Sequence, residues 1–437
     1  MSFPKYPEYK DSGVEWIGDI PAHWITAPIK NLADVINGYP FDSRLFSPTG
    51  QHPLVRIRDL NKIETAANYD GEFLKSAAIT SEDVLIGMDG EFNVGRWNGQ
   101  GKGLLNQRMC CVRGHKDITS RLIEYALPFP LKAINDITYS TTVKHLSSYQ
   151  VQKTFIALPP HEQEQSAIAA FLDRETAKID ALVAEQEKLI ELLKEKRQAV
   201  ISHAVAKGLD PNVPMKDSGV EWLGEVPEHW ELTQLKYVVA LGSVITYGIV
   251  QAGPHVEDGV PYIKTSDMSG DSLPLDGYSK SSFEIDKSYS RSKVSPGDIV
   301  VAIRATVGKC LLVPEDLDGA NLTQGTAKVS SGSSMLNLFL LHQMNSLSAQ
   351  TYFDLMAKGA TFREITLDAL RRTPITVPPL DEQKQIIIFL EGKLCLFDDL
   401  QREAQSTIDL LKERRSALIS AAVTGKIDVR GLADATQ

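Results

Sequence analysis

The sequence has few cysteines and no long apolar run. None of its four cysteines, Cys110, Cys111, Cys310 and Cys395, forms a C-x-x-C pair, which argues against a zinc site or a disulfide framework. No run of about 18 apolar residues occurs, so we expect no transmembrane helix. The first ten residues also lack the apolar core of a signal peptide. We therefore expect a cytoplasmic protein with buried free thiols and no membrane contact.

Catalytic motifs are also missing. There is no G-x-x-x-x-G-K-[ST] phosphate loop and no G-x-G-x-x-G after a strand. The Asx-Pro-Pro-aromatic motif of amino-methyltransferases is absent, because the Pro-Pro pairs follow Leu158 and Val377. No His, Cys or Asp cluster has metal-ligand spacing. His23 and His229 each stand in Pro-x-His-Trp, where a structural role beside the tryptophan is favoured over catalysis. An enzyme that acts alone is therefore disfavoured.

What the sequence does contain is an internal repeat. Residues 10–24 (KDSGVEWIGDIPAHW) and 216–230 (KDSGVEWLGEVPEHW) are identical at eleven of fifteen positions. Residues 192–205 (LLKEKRQAVISHAV) and 410–423 (LLKERRSALISAAV) are identical at ten of fourteen. The blocks occur in the same order in both halves. The chain is therefore a tandem duplication of one module, in which a globular domain precedes a long helix.

Between these blocks the two halves diverge, over residues 25–157 and 231–376. Each variable segment leads into a third match, LPPHEQEQ (158–165) in one half and VPPLDEQKQ (377–385) in the other. Short β-branched runs bounded by Gly, Pro, Asp and Asn predict strands at residues 84–88, 108–112, 260–264 and 298–303. Helical stretches are predicted at residues 120–134 and 335–356. We therefore predict an α+β fold with β-rich cores.

A long helix is predicted after each Pro-Pro pair. Apolar residues recur at three- and four-residue steps, which indicates a heptad-like seam. Gly208 and Gly425 stand where C-terminal stops are expected. A continuous helix over residues 161–207 would span about 70 Å at about 1.5 Å per residue. The natural partner of each seam is the other repeat, so we predict an antiparallel coiled-coil pair with pseudo-two-fold symmetry.

This pairing makes a prediction about charged residues. Glu175 would approach Arg414 or Arg415, and Lys393 would approach the C-terminal end of the other helix. The alternative is that these charges are only solvated at the rim of the seam. Two variable domains on a helical spacer are suited to reading two separated features of an elongated target, and duplex DNA is the natural candidate.

The order of the repeated blocks is specific. D-S-G-V-E-W-(I/L)-G-(D/E)-(I/V)-P-x-H-W, a variable domain, a Pro-Pro block with Glu-Gln, and L-L-K-E-(K/R)-R-x-A-(V/L)-I-S-x-A-V follow one another from Lys10 to about Lys426. This order closely resembles the specificity subunits of type I restriction–modification enzymes. Residues 37–41 (NGYPF), 55–60 (VRIRDL) and 88–93 (MDGEFN) look like the target recognition domain of that family.

The resemblance implies a non-catalytic DNA-specificity subunit. Each variable domain would be a target recognition domain that reads one half of a bipartite, asymmetric site in double-stranded DNA. The helices would set the spacer length and dock two modification subunits, which methylate adenine with S-adenosylmethionine, and two restriction subunits, which use ATP and Mg²⁺. No cofactor is expected in this chain. The implied segments are target recognition domain 1 (1–157), a central conserved helix (158–208), target recognition domain 2 (209–376), and a C-terminal conserved helix and tail (377–437).

The net charge is unlike that of a typical nucleic-acid binder. The chain carries −10 overall, with +2 in residues 25–157 and −2 in residues 231–376, whereas DNA-binding domains are usually basic. Positive clusters do occur at residues 96–121 and 287–309. Local positive charge is sufficient for phosphate contact, and we expect the partner subunits to supply much of the grip on DNA.

The base-reading residues of the family vary, so DNA-binding candidates rest on loop placement and local charge. In the first domain they are Arg44, Arg56, Arg58, Arg96, Lys102, Arg108 and Lys144. In the second domain they are Tyr247, Lys264, Lys293, Arg304, Lys309 and Arg363. Lys144 and Arg363 align after residues 140–142 and 359–361, which predicts a phosphate contact shared by both domains. The alternative for any single arginine is a solvated strand face.

Two other functions compete with this interpretation. A standalone nuclease or methyltransferase is opposed by the missing motifs. A coiled-coil scaffold that binds only protein partners would explain the helices, but it would not explain two divergent domains on one framework. Activity of the purified chain without partners would favour the first, and failure of the reconstituted complex to bind DNA would favour the second.

Overall fold

The computed structural model describes residues 3–137, 144–359 and 363–432. The chain forms two compact units. Unit 1 comprises Met1–Gln186 and Ser406–Gln437, and unit 2 comprises Glu187–Gln405. Each unit therefore holds one variable domain, the first part of the long helix that follows it, and the last part of the other long helix. The four-segment division of the chain stays a prediction, since the compact units cut across both helices.

Unit 1 is built mainly from short strands. They are β1 (Tyr9–Asp11), β2 (Asp19–Pro21), β3 (Ile25–Pro28), β4 (Ala33–Asn37), β5 (Phe46–Ser47), β6 (His52–Val55), β7 (Asn68–Tyr69), β8 (Ala78–Ile79), β9 (Val84–Gly87), β10 (Val94–Gly95), β11 (Gly103–Leu105), β12 (Met109–Gly114) and β13 (Phe155–Leu158). Its helices are α1 (Asp117–Ala126), α2 (Pro128–Ile137), α3 (Ser148–Lys153) and the first part of α4 (Glu162–Lys207). One sheet has the order β10-β9-β12-β4 and a second has the order β5-β7-β6-β11-β8. The β6–β11 pair is parallel, and β1–β2 and β3–β13 form separate antiparallel pairs.

Unit 2 repeats this plan, with a second sheet of three strands in place of five. Its strands are β14 (Met215–Asp217), β15 (Glu225–Pro227), β16 (Glu231–Gln234), β17 (Thr246–Tyr247), β18 (Val260–Ile263), β19 (Lys280–Ser281), β20 (Ile299–Ala302), β21 (Cys310–Leu312), β22 (Asn321–Leu322), β23 (Thr326–Val329) and β24 (Pro374–Val377). Its helices are α5 (Phe283–Ser288), α6 (Asn337–Met344), α7 (Leu347–Met356), α8 (Leu367–Arg371) and the first part of α9 (Leu380–Val423). The sheets are ordered β17-β23-β20-β21 and β19-β18-β22, and β18–β22 is again parallel.

The predicted strand runs are confirmed as β9, β12, β18 and β20. Each predicted helical stretch, in contrast, is two helices. Pro128 separates α1 from α2, because proline has no amide hydrogen to continue the first helix and is well suited to begin the second. The break between α6 and α7 falls at Ser346, whose side chain caps α7 by accepting a hydrogen bond from the Ala349 amide.

The matched blocks of the repeat meet at the start of each long helix. In unit 1 the Trp24 indole donates to Glu164 Oε1 at 2.9 Å, and His23 Nε2 lies 2.9 Å from Glu164 Oε2. In unit 2 the same contacts join His229 and Trp230 to Glu382, at 2.8 and 3.0 Å. Trp24 and Trp230 are fully buried. The two histidines therefore hold the variable domain to its helix, in the structural role expected from the sequence.

The two long helices are antiparallel in both units. In unit 1 Arg174 donates to the Leu432 carbonyl, whereas Arg415 binds Asp180, further along α4. In unit 2 Arg197 binds Asp398, whereas the C-terminal Gly208 lies next to Glu382. In each unit, contacts further along α4 are therefore made with residues earlier in the C-terminal segment, as expected for antiparallel helices. Gly208 and Gly425 have φ angles of +74° and +71°, which confirms them as the residues that end the two helices.

The prediction that Glu175 approaches Arg414 or Arg415 is wrong. Arg415 Nε lies 2.8 Å from Asp180 Oδ1, and Glu175 is bound by Arg174 and Lys178 of its own helix, at 3.1 and 3.0 Å. A neighbour three positions along the same helix is within reach whatever the register. Lys393 places its ammonium 5.8 Å from the centre of the Phe389 ring, again on its own helix.

The thiols agree with expectation at three positions of four. Cys110, Cys111 and Cys310 are buried, and burial raises the pKa of Cys110 to about 12. Cys395 is exposed on α9, which corrects the expectation that all four would be buried. Its neighbour Leu394 packs against the apolar core of unit 2, whereas the Cys395 side chain is exposed.

Candidate nucleic-acid interface

Strands β9 and β20 end in matched loops. After β9, the Met88 amide donates to the Arg108 carbonyl at 2.9 Å, and the Leu146 amide donates to the Met88 carbonyl at 2.7 Å. After β20, the same two bonds run from Ile303 to Gly325 and from Ile365 to Ile303, at 2.9 and 3.0 Å. This hydrogen-bond pattern aligns the two units through their backbones alone, without reference to side-chain identity.

The alignment makes three positions of unit 1 equivalent to three of unit 2. Asp89 corresponds to Arg304, Arg108 to Gly325 and His145 to Glu364. Bridges between Asp89 and His145 and between Arg304 and Glu364 confirm the register. We call Asp89, Arg108 and His145 the edge of unit 1, and Arg304, Gly325 and Glu364 the edge of unit 2. The two edges have equivalent backbone hydrogen bonds, but the side chains at equivalent positions differ in charge.

At the edge of unit 1, one carboxylate contacts two nitrogen-bearing side chains. Asp89 Oδ1 lies 2.7 Å from His145 Nδ1, and Arg108 binds the other carboxylate oxygen. The Asp89 side chain is 16% exposed, whereas those of Arg108 and His145 are 61% and 60% exposed. Burial raises the pKa of Asp89, but the bonds from His145 and Arg108 outweigh it and leave the pKa below its usual value. The edge therefore places a mostly buried carboxylate behind two exposed side chains, Arg108 and His145.

At the edge of unit 2, Arg304 Nη2 lies 3.0 Å from Glu364 Oε1. The two side chains are 41% and 43% exposed. The next residue, Ala305, has φ of +60°, and its equivalent in unit 1, Gly90, has φ of +78°. Both loops therefore turn through the left-handed region directly after the edge residue, although only one of them has the glycine that this conformation favours.

Lys144 and Arg363, aligned by sequence, are also equivalent in the structure. Lys144 Nζ donates to the Asn135 carbonyl at 2.6 Å and to its side chain at 3.1 Å. Arg363 donates to the Asp354 carbonyl at 3.2 Å and to its side chain at 2.9 Å. Each cation therefore binds the C-terminal end of a helix, α2 or α7, which is favourable to the helix dipole. Their predicted phosphate contact stays a prediction, and residues 140–142 and 360–361 lie outside the described residues.

The other candidates fall into an exposed set and a set bound to neighbouring groups. The exposed side chains are Arg44, which pairs with Asp42, together with Arg58, Lys102 and Tyr247. The bound ones are Arg56 with Asp59 (3.7 Å), Arg96 with Glu124 (2.6 Å), Lys264 with Ser279 (2.8 Å), Lys293 with Asp286 (2.7 Å) and Lys309 with Asp271 (3.4 Å). Arg96 contacts the segment that precedes β9, away from the edge that follows this strand. Lys144 and Arg363 directly precede the edge residues His145 and Glu364, so each is next in sequence to the edge that holds Arg108 or Arg304. A DNA contact by any of these residues stays a prediction.

A family model described as a type I restriction modification DNA specificity domain matches residues 21–192 and 227–402. The chain belongs to the type I restriction–modification specificity subunit family. The EcoBI specificity subunit of Escherichia coli is 30% identical over 434 residues, which cover 98% of this chain and 91% of that protein. The putative MjaX specificity subunit of Methanocaldococcus jannaschii is 25% identical, with 95% and 96% covered.

The fold of this specificity subunit is shared with a solved relative. A chain from a structural study of complex assembly and conformational transition in a type I R-M system matches with a TM-score of 0.66 at 18% identity. The match covers 92% of this chain and 98% of the other. It supports the α+β architecture with two long antiparallel helices.

Sequence reasoning missed four residues of this specificity subunit's edges. Asp89, His145, Gly325 and Glu364 were not candidates, because the candidates were chosen mainly for the positive charge of lysine and arginine. A signal was nevertheless present. His145 follows Lys144 and Glu364 follows Arg363, so the alignment of the two cations could have been extended by one residue.

Neither a metal cluster nor a membrane span occurs within the parts of the chain that the structure describes. No group of three or more His, Cys, Asp or Glu side chains in residues 3–137, 144–359 and 363–432 could hold a metal ion. No helix among these residues is long and apolar enough to cross a membrane. The expectation that cofactors belong to partner subunits stays a prediction.

Proposed function

We propose that this specificity subunit directs a type I restriction–modification complex to a bipartite, asymmetric site in double-stranded DNA. Each variable domain reads one half-site. The observation that carries the proposal is the pair of edges, which have equivalent backbone hydrogen bonds and different charges. Direct readout depends on donors and acceptors presented to base edges. Two equal frames with different edge groups are therefore suited to two different half-sites.

The long helices are the proposed docking surface for the partner subunits and the determinant of spacer length. Within unit 2, large apolar side chains of both helices are exposed, among them Leu192, Ile388, Phe389 and Leu396. Where such side chains form one patch, they are typical of a protein–protein interface. Matched helices in the two halves suit two copies of each partner. These partners are two modification subunits with S-adenosylmethionine and two restriction subunits with ATP and Mg²⁺.

We propose that the chain supplies the DNA sequence specificity and the framework on which the partner subunits dock, and that it has no catalytic activity of its own. The test is to express the chain with its modification subunit in a host that lacks adenine methylation, and to map N6-methyladenine by sequencing. Methylation at one motif with two defined halves and a fixed spacer supports the proposal. Methylation by the chain alone, or no sequence preference with the partner present, contradicts it.

A further inference from the structure

The edge residues differ between the two units, whereas the backbone and the buried residues that flank them are equivalent. Met88 and Leu146 flank the edge of unit 1, and Ile303 and Ile365 flank that of unit 2. All four are buried and apolar. The side chains between them change from Asp, Arg and His in unit 1 to Arg, Gly and Glu in unit 2. Retained core contacts around three exchanged polar positions are typical of a surface that recognises different ligands in the two copies.

Each edge presents a guanidinium group whose partner carboxylate restricts its direction. Arg108 is held on Asp89, and Arg304 is held on Glu364. A guanidinium is a planar fork of donors, and it matches the two acceptors of guanine, O6 and N7, in the major groove. Orientation by a fixed carboxylate lowers the entropic cost of such a contact. Both arginines remain partly exposed. Arg304 Nε is buried, so the terminal nitrogens of its guanidinium are the donors available to a ligand.

We infer that Arg108 and Arg304 are the specificity-determining side chains of the two variable domains, and that Asp89 and Glu364 are their positioning residues. The inference rests on the proposed function. It also accounts for asymmetry between the half-sites. The position of Arg108 is held by Gly325 in unit 2, and the position of Arg304 is held by Asp89 in unit 1. The two units therefore present their guanidinium groups from different places on the same frame, and they read a guanine at different places in their half-sites.

The substitution Arg304→Lys distinguishes a role of this side chain in base readout from a role in phosphate contact. Lysine keeps the positive charge but loses the fork, so a phosphate contact would survive and a bidentate base contact would not. We expect the complex with the modification subunit to lose preference at one base pair of one half-site. Discrimination at that base pair should fall about tenfold to a hundredfold, since a bidentate contact contributes roughly 1–3 kcal/mol. Arg108→Lys should relax one base pair in the other half-site.

The positioning role is tested with Glu364→Gln and Asp89→Asn, measured as the methylated motif together with the thermal unfolding midpoint. We expect the motif to relax at the base pair assigned to the matching arginine, with the midpoint close to that of the wild type. Glu364→Asp, which keeps the charge, should restore part of the preference. The matched control is Arg372→Ala, which removes another exposed arginine–aspartate pair of unit 2 and should leave the motif unchanged.

The outcomes separate this inference from the proposed function. If the wild-type complex methylates no bipartite motif, the proposed function itself fails. If it does, and Arg108→Lys and Arg304→Lys both leave the motif unchanged at every position, the inference is overturned and the function stands. A variant that weakens binding equally for all sequences would assign its arginine to phosphate and would also overturn the inference.

Discussion

At the scale of single residues, buried charge in the variable domains is compensated by defined partners. Asp83, which precedes β9, is almost fully buried. Its carboxylate accepts hydrogen bonds from Arg113 Nε and Nη2 at 2.6 and 2.7 Å and from the Thr80 amide at 2.8 Å. Burial raises the pKa of Asp83, but Arg113 and Thr80 outweigh it, and the net result is a lowered pKa. The pair ties β9 to β12, the two central strands of the sheet that ends in the edge of unit 1.

This arrangement predicts acid sensitivity. A carboxyl group whose pKa is lower in the folded state stabilises the fold above its unfolded-state pKa, near 4, and the stabilisation is lost as pH falls through the folded value. We expect Asp83→Asn to lower the thermal unfolding midpoint at pH 7. The gap between variant and wild type should narrow from about pH 4 downwards. Thermal melts between pH 7 and 3 measure this, and a gap that stays constant over the range would refute the assignment.

Residue-scale prediction from the sequence succeeded where the repeat supplied an alignment. Lys144 and Arg363 were paired correctly because the two halves share a frame. Their contacts with Asn135 and Asp354 were beyond reach, because those contacts depend on where α2 and α7 end in space. The same limit applied to Arg96, whose partner Glu124 lies on α1, 28 residues away. A sequence shows that a cation is present, but not which tertiary neighbour already binds it.

At the scale of secondary-structure elements, the ends of the long helices are fixed by glycine. Gly425 follows α9 with φ of +71°, and a Cβ atom there would lie 2.3 Å from Pro21 Cδ and 3.3 Å from the Trp24 ring. Gly392 lies inside the same helix, and a Cβ atom there would meet no atom within 4 Å. A side chain at position 425 would therefore overlap its neighbours, whereas one at position 392 would have free space.

Alanine substitution should separate these two positions. Gly425→Ala combines a left-handed backbone with overlap against Pro21, so we expect a loss of about 1–3 kcal/mol in the free energy of unfolding. Gly392→Ala should raise that free energy by roughly 0.5–1 kcal/mol, because alanine is the better helix former. Denaturant unfolding of both variants is the measurement. Equal effects of the same sign would show that the two glycines do not differ in this way.

The heptad pattern predicted that the two long helices pair, but it did not predict the register between them. The seam correctly predicted antiparallel partners. Glu175 was chosen as the partner of Arg415, although Asp180, five residues further along α4, is the observed one. Asp180 and Arg415 of unit 1 lie 218 residues from Asp398 and Arg197 of unit 2, so the same pair occurs in both units. A seam of repeated leucines tolerates several registers, and packing at the helix ends selects one.

A double-mutant cycle distinguishes the observed register from the rejected one. For Asp180→Ala and Arg415→Ala we expect a coupling energy of about 0.2–1 kcal/mol, the range of exposed ion pairs. The cycle of Glu175→Ala and Arg415→Ala serves as the control and should give no measurable coupling. Both cycles are measured by denaturant unfolding at low salt, where screening is weak. Coupling confined to the control pair would contradict the register.

At the scale of the whole molecule, the net negative charge lies outside the two variable segments. The two variable segments together carry no net charge, so the remaining residues carry the full −10. These residues include both long helices and the repeated blocks. An acidic scaffold repels the DNA backbone and favours basic or apolar protein surfaces. The division agrees with a chain whose variable segments meet DNA while the helices meet protein partners.

This distribution predicts weak DNA binding by the chain alone. The affinity of a protein for duplex DNA falls with salt in proportion to the number of phosphates that it neutralises, with a slope of about −0.9 per phosphate. We expect the isolated chain to show low affinity and a shallow slope. The complex with its modification subunits should bind more tightly and with a steeper slope, because the partners add phosphate contacts that the acidic helices do not provide.

Fluorescence anisotropy measures the affinity and its salt slope with one duplex that contains the methylated motif. The salt concentration is varied from about 50 to 200 mM, a range over which such slopes are large. The Arg304→Lys complex is the internal comparison: it keeps the charge and should keep the slope, while its preference for the motif over a scrambled duplex falls. An isolated chain with the affinity and slope of the full complex would mean that the variable domains alone neutralise the backbone, and that the acidic scaffold does not limit binding.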